Sequence, residues 1–342
     1  MTEHTNPLSK YAPGLVLVSL IALASTILAQ QPMLKDLRIS PLIVGILLGV
    51  LVGNTVRGKL PANIDAGIGF SASKILRLAI ILYGFRITFD QIAGVGVAGV
   101  LLDVVMVTST LLIGAFVGIR VLKMDRETAI MTSAGAAICG AAAVIATEPV
   151  VKAEPHKTAV AVATVVCFGT LSMFLYPLVY RLGVIPMSLD VFGIYIGASV
   201  HEVAHVVGAG DAVSPVTSDI AVIVKMTRVM LLAPALIAIG WLLTRSTEHT
   251  SGTRTPVMIP WFAVGFILVA AFNSLALLPI NVVDHINTVD TFLLTMAMTA
   301  LGLNTVVERF RGIGLTPLYL ALILFLWLVF GGYALTQLFV GS

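Results

Sequence analysis

The stretch AGVGVAGVLLDVVMVTSTLLIGAFVGIRV, residues 93–121, contains only two charged side chains, Asp103 and Arg120. About 20 apolar residues, at 1.5 Å of rise each, cross the ~30 Å hydrocarbon core of a bilayer as an α-helix. A helix satisfies its own backbone N–H and C=O groups, as lipid requires. The run is also too long and too continuous for the alternating ~10-residue strands of an outer-membrane barrel. It therefore predicts a transmembrane helix.

The rest of the chain has the same character. Of its 342 residues, 58% are hydrophobic and 11% are charged, and the mean hydropathy is +1.04. A soluble domain carries about 25% charged residues, so a soluble fold is excluded. Further apolar windows lie at 12–29, 40–56, 70–89, 127–147, 157–180, 190–210, 218–243, 259–280, 289–307 and 314–340. The predicted fold class is an all-α polytopic membrane protein with about eleven transmembrane helices.

The windows are joined by short loops, so we predict a single membrane transporter domain over 1–342. It consists of a cytoplasmic tail at 1–11 and a helical bundle at 12–340. The first window is longer than the 7–15 apolar residues typical of a signal peptide, which favours a membrane span. Loops after even-numbered windows carry ten Lys and Arg residues, and loops after odd-numbered windows carry five. This bias predicts a cytoplasmic N-terminus and a periplasmic or extracellular C-terminus.

Two stretches at span ends resemble each other: LYGFRITFDQIAGVGV at 82–97 and ALGLNTVVERFRGIGL at 300–315. At a constant offset, Gly84, Asp90, Gly94 and Gly96 align with Gly302, Glu308, Gly312 and Gly314. The charge bias places the two stretches on opposite sides of the membrane. Similar units of opposite orientation are typical of inverted-repeat transporters. The alternative is a chance likeness between glycine-rich span ends.

Two cations lie inside the window at 218–243. Lys225 and Arg228 are three residues apart and therefore share one face of the predicted helix. At about 1.5 Å per residue from Ser218 they lie roughly 10 and 15 Å deep. Intramembrane charges are costly and are retained with partners or in a watery cavity. The pair is either a structural ion pair of the bundle or, as we predict, a binding site for a small anion.

The preceding window, at 190–210, contains His201, Glu202 and His205 at a similar predicted depth. Glu202 can balance the charge of one cation, and either His201 or Glu202 can couple protons to transport. The three residues also match the His-Glu-x-x-His pattern of zinc proteases. Such a site needs a third protein ligand, and Asp211 and Asp219 belong to a predicted loop. An intramembrane zinc metalloprotease is kept as an alternative. The main expectation is that the protein is not an enzyme and uses no cofactor or metal.

The window at 127–147 consists almost entirely of small residues from Thr132 to Thr147. Small residues let helix backbones approach closely. The central Cys139 and Gly140 also suit a discontinuous helix, in which a half-helix N-terminus faces the substrate anion. On the second interpretation, Cys139 and Gly140 belong to the substrate site.

Five ordered motifs carry a resemblance to a known family. In chain order they are LRLAIILYGFRIT (76–88), SAGAAICGAAAVIATEPVVKA (133–153), ATVVCFGTLSMFLYPL (163–178), GASVHEVAHVVGAG (197–210) and IVKMTRVMLLAP (223–234). From about residue 40 to 340, the chain resembles the YeiH-type family of bacterial inner-membrane proteins, described as sulfate exporters. That family is similar to the superfamily of cation:proton antiporters and bile-acid symporters. The resemblance implies a core domain with crossed, broken helices that moves against a panel domain.

The resemblance carries over to particular residues. The family's His-Glu pair falls on His201 and Glu202, and its Lys-x-x-Arg motif falls on Lys225 and Arg228. The family usually has Gln at the position of His205, so the zinc-protease pattern is a departure from the family, which counts against a metal.

The combined hypothesis is a secondary transporter that moves a small anion, such as sulfate or a sulfonate, by alternating access across the bacterial inner membrane. Its expected partners are the anion, a coupling proton or cation, and the lipid bilayer, with a homodimer left open. Nucleic acid is not expected, since no basic stripe interleaved with aromatic residues is present. The remaining alternatives are an ion channel and a cation:proton antiporter with Glu202 as the carrier. Antiporters of that type typically have paired intramembrane Asp residues, and the nearest candidate here is the lone Asp103.

Overall fold

The computed structural model describes residues 7–36, 39–56, 60–245, 260–306 and 314–341, and within these ranges the regular structure is helical. The helices are α1 Pro7–Ala29, α2 Pro32–Asp36, α3 Pro41–Thr55, α4 Asp65–Phe70, α5 Leu76–Tyr83, α6 Phe89–Phe116, α7 Arg126–Ala137, α8 Ala141–Val151, α9 Pro155–Arg181, α10 Leu189–Ser199, α11 Val203–Asp211, α12 Pro215–Met230, α13 Leu232–Arg245, α14 Trp261–Ser274, α15 Ile280–Asn304, α16 Leu315–Leu326 and α17 Gly332–Val340. Segments of π-helix join α4 to α5 and α16 to α17, and another extends α6.

Every predicted window contains helix, so the all-α polytopic membrane fold is confirmed. Seven helical segments in the described ranges are long and apolar enough to cross a bilayer. The other windows hold shorter helices, α3 and α14, or helices broken in two, α7–α8 and α10–α11. Many large apolar side chains are exposed, among them Leu112 and Phe330 at 64% and 69%. Such a surface is suited to lipid rather than water.

The predicted window bounds are wrong in three places. The helix predicted from residue 70 begins at Asp65, and the one predicted from residue 289 begins at Ile280. Hydropathy missed the second start because Asp284 and His285 make the first turns of α15 polar and exposed. The window at 259–280 contains only Trp261–Ser274, and the chain then turns through Ala276, whose φ is positive.

Local sequence explains several helix starts. Asp125, Ser188 and Ser214 precede α7, α10 and α12, and the side chain of each accepts a hydrogen bond from a backbone N–H in the first turn. These contacts satisfy donors that a helix start leaves without an intrahelical partner. Pro41, Pro155 and Pro215 open α3, α9 and α12, a position where the missing N–H has no cost.

The chain divides into two compact units, each built from two separate parts of the sequence. The single transporter domain stays a prediction. The first unit comprises Met1–Phe89 and Phe262–Arg311. In this unit α3 packs along α15 with the two backbones in close contact. A Cβ atom added to Gly49 would lie 2.4 Å from the carbonyl oxygen of Thr299, and one added to Gly302 would lie 2.3 Å from that of Ile46. Glycine is therefore required on both helices for this approach.

The second unit comprises Asp90–Trp261 and Gly312–Ser342. It contains the α7–α8 and α10–α11 breaks, and α6 is kinked at Gly96. Helix α12 packs against the two halves α10 and α11. Glycine permits the close packing of α10 on α12, because a Cβ on Gly197 would lie 2.5 Å from the carbonyl oxygen of Ala221. The inverted repeat stays a prediction, since Glu308 and Gly312 lie outside the described residues.

Candidate functional site

The first helix break lies between α7 and α8, at the position where the sequence predicts a discontinuous helix. Ile138 leaves the helical region with φ −119° and ψ −80°, and Gly140 has φ 72° and ψ −136°. A Cβ atom on Gly140 would also lie only 2.1 Å from Cγ of Glu202. Both the backbone conformation and the close side chain therefore require glycine here.

The second break lies between α10 and α11. Val200 and Glu202 have extended backbone conformations, and His201 lies between them, so α11 begins only at Val203. Each break leaves carbonyl groups at the end of one half-helix and N–H groups at the start of the next without intrahelical partners. In a membrane interior such groups need partners from elsewhere in the protein.

Lys225 connects the two breaks. Its Nζ atom donates hydrogen bonds to the carbonyl oxygens of Ile138 and Val200, each at 2.7 Å. The side chain is fully buried, and it reaches both breaks because α12 packs against the α10–α11 pair. One ammonium group thus satisfies a carbonyl from each broken helix.

Arg228 lies one turn further along α12 and binds the last turns of α7 and α10. Its Nη2 atom donates to the carbonyl oxygen of Ala136 at 2.9 Å, and its Nε and Nη1 atoms donate to those of Ala137 and Ala198. Helix C-termini carry partial negative charge, which a cation stabilises. The guanidinium group is therefore a cap shared by two half-helices.

Glu202 has the complementary role at a helix start. Its Oε1 atom accepts a hydrogen bond from the backbone N–H of Ala141, the first residue of α8, at 3.1 Å. The residue is only 7% exposed. Helix N-termini attract anions because unpaired N–H groups and the helix dipole both favour negative charge. A carboxylate thus lies at the place where the sequence predicts an anion.

The two histidines lie beside this carboxylate. His205 Nδ1 is 3.5 Å from Oε2 of Glu202, and its Nε2 is 3.3 Å from Oγ1 of Thr170. His201 is 1% exposed, and its Nδ1 atom has no hydrogen-bond partner among the described residues. The arrangement suits transfer or storage of a proton near Glu202.

The zinc-protease pattern does not have the geometry of that motif. In such proteases both histidines lie on one helix face, whereas His201 lies in the break and His205 lies within α11. Over the described part of the chain, no group of three His, Cys, Asp or Glu residues is placed to hold a metal ion.

All six residues predicted for the substrate site thus meet in the second unit. Cys139 is buried between Ile138, which binds Lys225, and Gly140, which contacts Glu202. What the sequence missed is the set of partners: Lys225 and Arg228 bind backbone carbonyls rather than a carboxylate. No residue pattern signals these acceptors, since every residue has a carbonyl.

From the sequence alone, Asp103 is only a lone carboxylate and is not placed near the predicted site. Asp103 is fully buried in α6, and its charge interacts with those of Arg228 and Lys225. Neither of its side-chain oxygens has a hydrogen-bond partner among the described residues. The signal was present as the one acidic residue within the window at 93–121.

Comparison with known proteins agrees with the resemblance. The model of the family described as Conserved hypothetical protein 698 matches residues 13–321. A UPF0324 membrane protein of Bordetella pertussis is 50% identical over 99% of both chains. The UPF0324 inner membrane protein YeiH of Escherichia coli K12 is 49% identical over 95% of this chain and 93% of its own length.

A UPF0324 membrane protein of Pseudomonas aeruginosa is likewise 50% identical over 98% of this chain and 97% of its own length. No solved structure matches the chain. The predicted family is confirmed: the chain belongs to the Conserved hypothetical protein 698 family, the UPF0324 membrane proteins, to which YeiH also belongs.

Proposed function

We propose that this protein is a secondary transporter that carries a small anion across the bacterial inner membrane by alternating access. The observation that carries the proposal is the contact between the Glu202 carboxylate and the N-terminus of α8 inside a helix break. Discontinuous helices with N-termini directed at anionic groups are a recurrent feature of secondary transporters. Sulfate and sulfonates are the first candidates as substrates.

The carboxylate of Glu202 suggests how the anion would enter. When Glu202 is protonated, it loses its attraction for the start of α8, and an external anion can take its place at Ala141 N–H. When Glu202 is ionised, it competes with the anion. His205 at 3.5 Å, together with His201, supplies neighbouring proton acceptors for this exchange. Proton uptake and anion binding would then be coupled.

Lys225 and Arg228 would contribute positive charge beside this position. Both already donate hydrogen bonds to carbonyls, so their main effect would be to hold the two breaks in shape and to offset the charge of a bound anion. An ammonium group has three N–H donors. We assign the third N–H of Lys225 to the substrate.

The test is sulfate flux into proteoliposomes containing the purified protein. Lys225→Ala and Arg228→Ala should each lower flux at least about tenfold, since each removes roughly 1.4 kcal/mol or more of transition-state stabilisation. Lys157→Ala is the matched control. Lys157 lies at the start of α9, pairs with Asp125 before α7, and is outside the site. Unchanged flux and affinity in both site variants would refute the assignment. Stabilisation of the wild-type protein by sulfate, measured as a shift in Tm, checks binding separately.

A second candidate is cation:proton antiport, which is favoured by the buried carboxylate of Asp103. In that case a sodium or potassium gradient alone would drive proton movement in the same vesicles. A pH-sensitive dye inside the vesicles distinguishes the two, since the anion transporter needs sulfate for the signal.

A further inference from the structure

Asp103 is a buried acid that the proposed anion site does not use. It lies on the inward face of α6 with Leu102, Met106 and Thr110, all of them buried. The residue is 0% exposed, and both of its carboxylate oxygens lack a hydrogen-bond partner in the part of the chain that the structure describes. An ionised carboxylate without donors in a low-dielectric interior is costly, so this position calls for an explanation.

The packing places this face of α6 near the end of α10. A Cβ atom added to Gly332 would lie 3.1 Å from Cβ of Ser199, the last residue of α10, and 3.5 Å from Cε of Met106. Met106 is one turn from Asp103 on the same face. The adjacent Ala198 carbonyl is a partner of Arg228. Asp103 therefore faces the region where the guanidinium group caps α10.

Two effects act on the Asp103 carboxyl group in opposite directions. An ionised carboxylate would have no hydrogen-bond donor in this buried position, which is costly, but it would also attract the cations Arg228 and Lys225, both on α12. Tyr176, Cys139 and His201 also interact electrostatically with Arg228. A buried carboxyl group without donors is less costly to keep when it binds a proton, because the neutral acid needs less solvation than the carboxylate.

The ionised form would also compete for Arg228. A guanidinium group has five N–H donors in a planar fork, which matches the two oxygens of a carboxylate, and a full negative charge attracts it more strongly than a carbonyl dipole does. A carboxylate at Asp103 would thus attract Arg228 away from the carbonyls of Ala136, Ala137 and Ala198. A neutral carboxylic acid would leave that cap in place.

We propose that Asp103 is a proton-binding residue of the transport cycle, and that its proton controls how firmly Arg228 holds α7 and α10 together. The proton comes from water and returns to water, and the carboxyl O–H bond is the only covalent bond that forms or breaks. The role in transport rests on the proposed function above, whereas proton binding at Asp103 stands on its own.

The experiment is infrared pH-difference spectroscopy of the full-length protein in lipid nanodiscs. Wild-type protein should show a carboxylic-acid carbonyl band that titrates, together with a guanidinium band that changes with the same midpoint. Other carboxyl groups also contribute to the carbonyl band, so the assignment rests on the component that shares its midpoint with the guanidinium change. That component and the guanidinium change should disappear together in Asp103→Asn and persist in Asp290→Asn, a matched buried aspartate in the first unit. If Asp103→Asn does not fold, Asp103→Glu carries the test and should shift the band without removing it. A wild-type spectrum without paired carbonyl and guanidinium changes, or a pair of changes that Asp103→Asn retains, would overturn the proposal.

A transport measurement separates this proposal from the function itself. In sulfate-loaded proteoliposomes, Asp103→Asn should lose at least about tenfold of the flux driven by a pH gradient while retaining sulfate–sulfate exchange. Loss of exchange as well would make the residue structural and overturn its coupling role. If wild-type protein moves no sulfate but shows the titrating band, the substrate assignment fails and the proton site stands. If flux is pH-driven and the band is absent, the proton site at Asp103 fails and the transport function stands.

Discussion

The two units handle buried charge in different ways. In the first unit, Arg86 pairs with Asp290 at 3.1 Å and also donates to Oγ1 of Thr291 at 2.7 Å, and α15 continues unbroken past both partners. In the second unit, Lys225 and Arg228 donate to backbone carbonyls at the ends of two broken helices. In the first unit a charged side chain is neutralised by another side chain, whereas in the second unit charged side chains supply hydrogen bonds that the broken backbone lacks.

The difference shows what each set of charges is for. An ion pair between side chains can be replaced by apolar residues of similar volume with little loss. Carbonyls exposed by a helix break remain when the cation is removed, and in lipid each unsatisfied group costs several kcal/mol. The cations and the breaks of the second unit therefore depend on one another.

The largest effect should come from Arg228→Met. The variant removes the cap from three carbonyls of α7 and α10, so we expect a loss of roughly 4 kcal/mol in unfolding free energy. Arg228→Lys should recover part of this loss, because an ammonium can bind some of the same acceptors. Thermal unfolding in detergent or nanodiscs measures both. Equal stability of Arg228→Met and wild type would remove the distinction between the two units.

Gly140→Ala should have the second-largest effect on stability. Alanine would adopt a positive φ with a Cβ 2.1 Å from Cγ of Glu202, so strain and overlap together should cost roughly 3 kcal/mol. Gly96→Ala is the control, since Gly96 also has a positive φ, of 65°, but has open space around its Cβ position. Strain alone should cost that control about 1–2 kcal/mol. A control as damaging as Gly140→Ala would show that the break contributes nothing beyond backbone strain.

A third comparison uses the Arg86–Asp290 pair. Arg86→Leu leaves the buried Asp290 uncompensated and should cost roughly 2 kcal/mol. Asp290→Leu combined with Arg86→Leu should recover most of that loss, because both charges are then gone. The corresponding double change in the second unit, Arg228→Leu with Glu202→Leu, should recover nothing, since the carbonyls stay unpaired. Double-mutant cycles of Tm values test both expectations. Recovery of stability in both units would contradict the difference between them.

The smallest effect should be at Asp125, which lies outside the membrane-spanning segments and caps α7. Partial burial raises its pKa, but hydrogen bonds from Thr128 and Lys157 outweigh this and hold the pKa below its ordinary value of 3.8. The stabilisation is therefore complete above pH 3.8 and is lost as the pH falls through the lower folded value. Asp125→Ala should cost about 1 kcal/mol near neutral pH. In a pH series of Tm values, its acid limb should be flatter than that of wild type, and an unchanged limb would contradict the assignment.

Much of the fold was accessible from the sequence. Long apolar runs such as 93–121 predict helices because lipid offers the backbone no hydrogen bonds. The break at Cys139 and Gly140 was predicted from small residues, and the family followed from five ordered motifs. The break at His201 was harder to recognise, because His-Glu-x-x-His is most familiar as a helical pattern.

The sequence by itself determined that the chain is a helical membrane protein, which residues carry charge into the bilayer, and where one helix is broken. Only the tertiary structure decided what those charges bind. Hydropathy is a property of each segment, whereas the partner of a buried cation is set by which helix ends are brought beside it. The sequence therefore shows that Lys225 and Arg228 place costly charges inside the bilayer. Their carbonyl acceptors, and the lack of partners around Asp103, are decided only when α6, α7, α10 and α12 pack together.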